Sequence, residues 1–136
     1  MANRAYLYAC DVIPGLNPDA TPTFTGISEF NYGVPLVYKI LMTGNPELCK
    51  SSIWDEPTPI AIAADLNLGL EKLNQFFSQI TAPGAQPIIE GARAFFDYQF
   101  RKFKYFVLEC NELYQMDIKD PLILNKKLLK EIQYIA

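Results

Sequence analysis

The stretch Pro87-Ile88-Ile89-Glu90-Gly91-Ala92-Arg93-Ala94-Phe95-Phe96-Asp97-Tyr98-Gln99-Phe100-Arg101-Lys102-Phe103-Lys104-Tyr105-Phe106-Val107-Leu108-Glu109-Cys110-Asn111-Glu112-Leu113-Tyr114-Gln115-Met116 decides how the rest of the chain is read. Ile88, Ala92, Phe95, Phe96, Phe103, Phe106, Val107, Cys110, Leu113 and Tyr114 recur near the helical period, and Glu90, Arg93, Asp97, Arg101 and Lys104 fall on the opposite side. Pro87 suits a first helical turn. Arg93 with Asp97, and Asp97 with Arg101, are four apart and predict ion pairs along the helix surface. The spacing predicts one long helix over 88–116, and with it a mostly helical protein.

Working outward, Asp120-Pro121 gives a cap and a first-turn proline for a helix near 121–134, with Leu124, Leu128, Ile132 and Ile135 on one side. On the other flank, Leu66, Leu70, Leu73, Phe77 and Ile80 predict a helix near 66–81, capped by Asp65 or Asn67 and closed by Pro83-Gly84. Pro35 and Gly44 bracket a shorter helix near 34–43, and Asn45-Pro46-Glu47 reads as the start of another helical turn or two. Strands are expected near 4–10, which is rich in tyrosine, and near 60–64, a short apolar run. From Ile13 to Gly26 the turn formers Pro14, Gly15, Pro18, Pro22 and Gly26 read as a long loop. The expected fold is α+β and predominantly helical, a small sheet packed with four helices in a single globular domain over 1–136.

Composition narrows the chemistry. The 136 residues contain no histidine, the side chain that titrates near neutrality and serves most often as general base and metal ligand. Histidine-dependent triads and histidine-based zinc or haem sites are excluded. Cys10, Cys49 and Cys110 are scattered, odd in number and form no CxxC pair, which argues for ordinary reduced thiols rather than a disulfide framework or structural zinc. Half the residues are hydrophobic and a fifth charged, the balance of a folding chain. The N-terminus lacks the pattern of a signal peptide and no apolar run reaches membrane-spanning length, so a cytoplasmic product is expected.

Residues 1–71 carry eight acidic against three basic side chains, whereas the remainder carries seven acidic against nine basic. An acidic N-terminal half repels nucleic acid and favours a basic protein partner. Trp54, the only tryptophan, stands beside Asp55 and Glu56 in a proline-bordered loop, the composition of an interface anchor with charged flanks. Asp19, Glu29 and Tyr32 extend this set of candidate partner-binding residues, against the plain alternative of a loop tryptophan folded onto the core. Glu109 and Glu112 are three apart, as metal-binding carboxylates of helical bundles can be, but without histidine they read as a solvated helix face. Phe100 to Phe106 interleaves bases with aromatics, yet helical geometry turns Phe103 and Phe106 to the core and Arg101 and Lys104 outward. Catalytic, cofactor and metal residues are expected to be none.

Met1 to Tyr8, together with Val34 to Pro46, resembles a group of small uncharacterised bacterial proteins, a likeness covering about a third of the chain. Size, acidity and reduced cysteines also resemble, more loosely, toxin-neutralising immunity proteins, including those of contact-dependent inhibition systems. That resemblance implies a non-catalytic protein that occludes a cognate toxin, many such targets being basic nucleases, with no direct contact to nucleic acid or membrane. Two other readings are a small-ligand or carboxylate-based enzyme domain, and a structural subunit of a larger assembly.

Overall fold

A computed structural model of the protein describes residues 3–17 and 19–135. Its centre is a five-stranded, wholly antiparallel sheet in the order β2-β1-β5-β4-β3, formed by β1 (Arg4–Cys10), β2 (Phe24–Asn31), β3 (Glu47–Cys49), β4 (Ala61–Asp65) and β5 (Tyr105–Glu109). The helices are α1 (Leu36–Leu41), α2 (Leu66–Ser78), α3 (Gln86–Gln99), α4 (Asn111–Tyr114) and α5 (Pro121–Ile135), with a 3₁₀ turn at Pro83–Ala85. The α+β class stands, but the protein is not predominantly helical.

Three segments account for the correction. The long helix expected over 88–116 is broken: α3 stops at Gln99, a turn follows, β5 runs through the middle of the sheet, and α4 is a single turn. Tyr105-Phe106-Val107-Leu108-Glu109 is buried on both faces, so its apolar residues form a continuous run rather than an alternation. Over five residues such a run is indistinguishable from a helical segment by periodicity. Glu47–Cys49, expected as helix, is the short edge strand β3. Phe24 to Gly26, expected as the end of a loop, opens the other edge strand, β2, which pairs with β1 along its length with a register shift between Leu7 and Tyr8. That strand is largely exposed and lacks the alternation that marks a half-buried strand.

Where the expected elements exist, their ends follow local chemistry. Asp65 ends β4 and caps α2, its Oδ1 accepting from the Leu68 N–H at 2.9 Å. Asp120 Oδ1 accepts from the Leu122 N–H at 2.8 Å ahead of α5. Of the two ion pairs expected on the long helix, Arg101 to Asp97 forms at 2.9 Å across the end of α3. Arg93 donates instead to Asn74 of α2 at 3.0 Å and lies over the Phe77 ring.

The strand alternation sorts side chains into two layers. Ala5, Leu7, Ala9, Ile62, Ala64, Phe106 and Leu108 face the helices and pack with Leu41, Leu66, Leu70, Phe96, Phe100, Leu128 and Ile132. Phe96 meets Phe106 edge to face at 6.0 Å between centroids, a geometry that contributes about 0.5–1.5 kcal/mol beyond area burial. Asn125 of α5, fully buried, donates to the carbonyls of Pro59 and Ala61 at 2.9 and 3.0 Å and accepts from the Tyr114 hydroxyl at 2.8 Å, so one amide joins α5, α4 and the start of β4. On the other face, Tyr8, Cys10, Cys49, Ala61, Ala63 and Val107 form a second, smaller cluster, against which no helical residue is among the described hydrophobics that pack. Loops cover it instead, Ile13 from one side and Ser51 and Ser52 from the other.

Among the described residues no helix is long and apolar enough to cross a membrane. The three cysteines are free and buried. Burial pushes the Cys110 thiol from its ordinary 9.0 up to about 12, and raises Cys10 and Cys49 in the same direction. A thiol whose value is raised by folding keeps its proton in the folded state while the unfolded chain loses it. The thiols' contribution to stability is therefore fully present below about pH 9 and is lost as pH rises from there toward 12. Denaturant midpoints measured at pH 7, 9 and 10.5 should fall only at the alkaline end, and a thiol reagent should label the native chain at pH 7 far more slowly than the denatured chain, which offers three thiols.

Candidate functional site

The loop-covered face holds the feature that residue spacing does not reveal. Glu109, read from spacing as part of a solvated helix face, is 1% exposed on central strand β5 and points away from the helices. Its carboxyl group accepts from the Tyr8 hydroxyl of β1, from the Ser51 hydroxyl, and from the Ser52 N–H at 3.0 Å. Ser51 Oγ accepts in turn from the N–H groups of Ile53 and Trp54 at 3.0 and 2.8 Å. The ion pairs among the described residues join Arg4 to Glu29, Lys39 to Glu131 and Arg101 to Asp97, and none reaches Glu109. A buried carboxyl group without a cation depends on its donors for stability, and here two of the three come from the loop it holds. Burial, and after it the charge of Glu109, keeps the Tyr8 phenol far above its usual range. Glu112, its expected companion, lies on α4, where it accepts from the Arg4 N–H at 3.1 Å and the Tyr6 hydroxyl at 2.5 Å.

The anchored loop forms one wall of a groove. A concavity of about 410 Å³ runs over the outer face of β1 and β2, lined by Tyr6, Tyr8, Phe24, Gly26, Glu29 and Ile53 among others. Phe24 packs its ring against Tyr8 at 5.4 Å while remaining 51% exposed, and Ile53 on the loop is 49% exposed. Large apolar side chains left this open beside one another are the usual mark of a contact surface.

Of the candidate residues, Glu29 lines the groove and pairs with Arg4 at 3.1 Å. Trp54 follows Ile53 on the anchored loop and is 41% exposed, so it is not folded into the core. Asp55 and Glu56 are exposed on the same loop, and Glu56 accepts from the Thr58 hydroxyl at 3.2 Å. Tyr32, exposed and at φ +62°, stands just past the end of β2 with its N–H donated to Asn3. Asp19 is exposed in the loop between β1 and β2, its N–H donated to Asn17 Oδ1 at 3.0 Å, and it is not among the described residues that line the groove. Glu29 and the Trp54 loop are thus brought to one groove, and Asp19 and Tyr32 are not. Tyr8, Phe24, Ser51, Ile53 and Glu109 complete the arrangement.

A family model matches residues 11–136, from the residue after β1 through α5. The chain belongs to the family described as domain of unknown function DUF7822. No curated protein and no solved structure matches it. The DUF7822 match contains Glu109, Ser51, Ser52 and the whole 50–60 loop, while Tyr6 and Tyr8 lie ahead of it. Among the described residues, no group of three or more aspartate, glutamate or cysteine side chains is placed to hold a metal ion.

Proposed function

We propose that the protein is a non-catalytic binding protein that contacts a basic protein partner through the groove and the 51–56 loop. The specific form of this reading is an immunity protein of the cytoplasm that neutralises a cognate bacterial toxin by covering its active site or a nearby surface. The observation that carries it is a groove whose wall holds the exposed apolar side chains Phe24 and Ile53 beside the acid Glu29, with Ile53 on a loop that is fixed by a buried side chain and exposes Asp55 and Glu56. Preorganisation of this kind lowers the entropic cost of binding, and an aromatic anchor beside carboxylates suits a lysine- and arginine-bearing surface.

The decisive experiment is co-purification with the product of the adjacent upstream gene, together with growth rescue on co-expression. Complex formation and rescue are expected; neither occurring would overturn neutralisation. Within such a complex, the double change Asp55→Ala and Glu56→Ala should slow association by about 3–10-fold at low salt and flatten its salt dependence, with dissociation little changed. Stopped-flow or surface-plasmon kinetics at two ionic strengths measure this, and unchanged association would remove the loop from the contact.

A further inference from the structure

We infer that β2 is a strand-addition edge, and that its occupant is an extended segment of the protein partner carrying lysine or arginine at alternate positions. The inference rests on the binding-protein reading and specifies what the partner presents. Among the described residues, sheet order leaves β2 with a strand partner on one side only, over eight residues or about 26 Å. The opposite edge strand, β3, has three residues and α5 packed beside it, so it offers no comparable length.

Edges of this length are ordinarily protected by lysine, proline, covering elements or a bulge. From Phe24 to Asn31 there is no lysine, arginine or proline, and nearly every residue is exposed. One irregularity occurs, the register shift that leaves Ile27 as an extra residue between the partners of Leu7 and Tyr8. Both faces flanking the edge are apolar and open. On the groove side stand Phe24 and Ile53; on the helix side stands Phe30, with α1, whose Tyr38 hydroxyl bonds Ser28 of β2, exposing Leu36 and Val37. An added strand alternates its side chains between two faces, and here each finds apolar surface. Charge selects among occupants. Glu29 lines the groove and is paired with Arg4, while Asp55 and Glu56 are exposed two and three residues past Ile53 on the loop, so acids outnumber the base by three to one on this side and favour a basic strand. A second copy of this chain would bring the same acids to its own edge.

The probe is a terminally blocked octapeptide of alternating lysine and valine, compared with one of alternating glutamate and valine, titrated into the full chain and followed by backbone amide NMR. The lysine peptide should give saturable shifts confined to Phe24–Asn31 and Ile53, with a dissociation constant on the order of 1 mM or tighter. It should bind at least about fivefold more tightly than the glutamate peptide, and the exposed substitution Glu29→Lys should abolish or reverse that preference while leaving the circular dichroism unchanged. Absence of shifts on β2, shifts elsewhere, or equal response to both peptides overturns the proposal. So does a free chain that sediments as a dimer with β2 amides already protected, because the edge is then filled by a second copy. Peptide binding on β2 without growth rescue would keep the edge and remove neutralisation; rescue without peptide shifts would do the reverse.

Discussion

Glu109→Ala is expected to lower unfolding stability by about 3–5 kcal/mol, the range for breaking a buried ionic or hydrogen-bonded network and leaving its partners orphaned. Three donors lose their acceptor at once: the Tyr8 hydroxyl, the Ser51 hydroxyl and the Ser52 N–H. The cavity left in the sheet's outer face adds to the loss. Glu109→Gln should cost roughly 1–3 kcal/mol, since the amide retains one acceptor and presents a donor where another was needed. The melting temperature should fall by ~10–20 °C for alanine. Urea midpoints at unchanged m-value measure the effect, and a loss below about 1 kcal/mol for alanine would show that the loop holds itself without the carboxyl group. Limited proteolysis gives an independent view: cleavage within 51–56 should accelerate in both variants, because Ser51, which turns the chain for Ile53 and Trp54, has lost its anchor.

Gly69→Ala is expected to be equally severe for a different reason. A Cβ placed on Gly69 lies 2.0 Å from the carbonyl oxygen of Leu41, a backbone atom at the end of α1 that no side-chain rotation can move. The two helices approach so closely because this position of α2 is bare, and overpacking here should cost at least about 3 kcal/mol or prevent folding. Gly91→Ala supplies the contrast. It sits inside α3 with nothing within 4 Å of its added Cβ, and should stabilise by about 0.5–1 kcal/mol through helix propensity alone. Thermal denaturation of the two alanine variants side by side separates the effects; equal melting temperatures would mean that α1 and α2 do not hold this contact.

Much of the fold is written in residues that act locally. Asp65 and Asp120 announce helix starts because a carboxylate satisfies a free N–H within three residues, and the leucine stripe of α2 and the Leu128 and Ile132 positions of α5 pack as their spacing requires. What spacing does not convey is pairing at a distance. Tyr105–Glu109 is a strand because β1 and β4 flank it, and neither neighbour is near in sequence. β2 lacks a buried face to impose a pattern, so its turn-forming Gly26 outweighs its aromatics when the sequence alone is read.

The candidate site divides the same way. Trp54, Asp55, Glu56 and Glu29 stand out by residue type; Glu29 lines the groove, and the other three follow Ile53, which also lines it, on the same loop. Glu109 was missed because a helix over 88–116 turns it to solvent, whereas a strand puts it on the same face as Tyr105 and Val107. The available signal was the aromatic and β-branched run Tyr105-Phe106-Val107, whose composition favours a strand and makes an acid in that register a buried one.

The sheet order has a consequence for synthesis. β1 lies between β2 and β5, and the partners Tyr6 and Glu109 are separated by most of the chain. As the protein leaves the ribosome, β1 and β2 can pair early, but the hairpin's inner edge stays bare until Tyr105–Glu109 emerges, roughly 4–16 s later at ordinary elongation rates. Closing so long a loop is slow. During that interval the β1–β2 hairpin carries two unpaired edges rather than one, and the Glu109 clasp on the 51–56 loop cannot form.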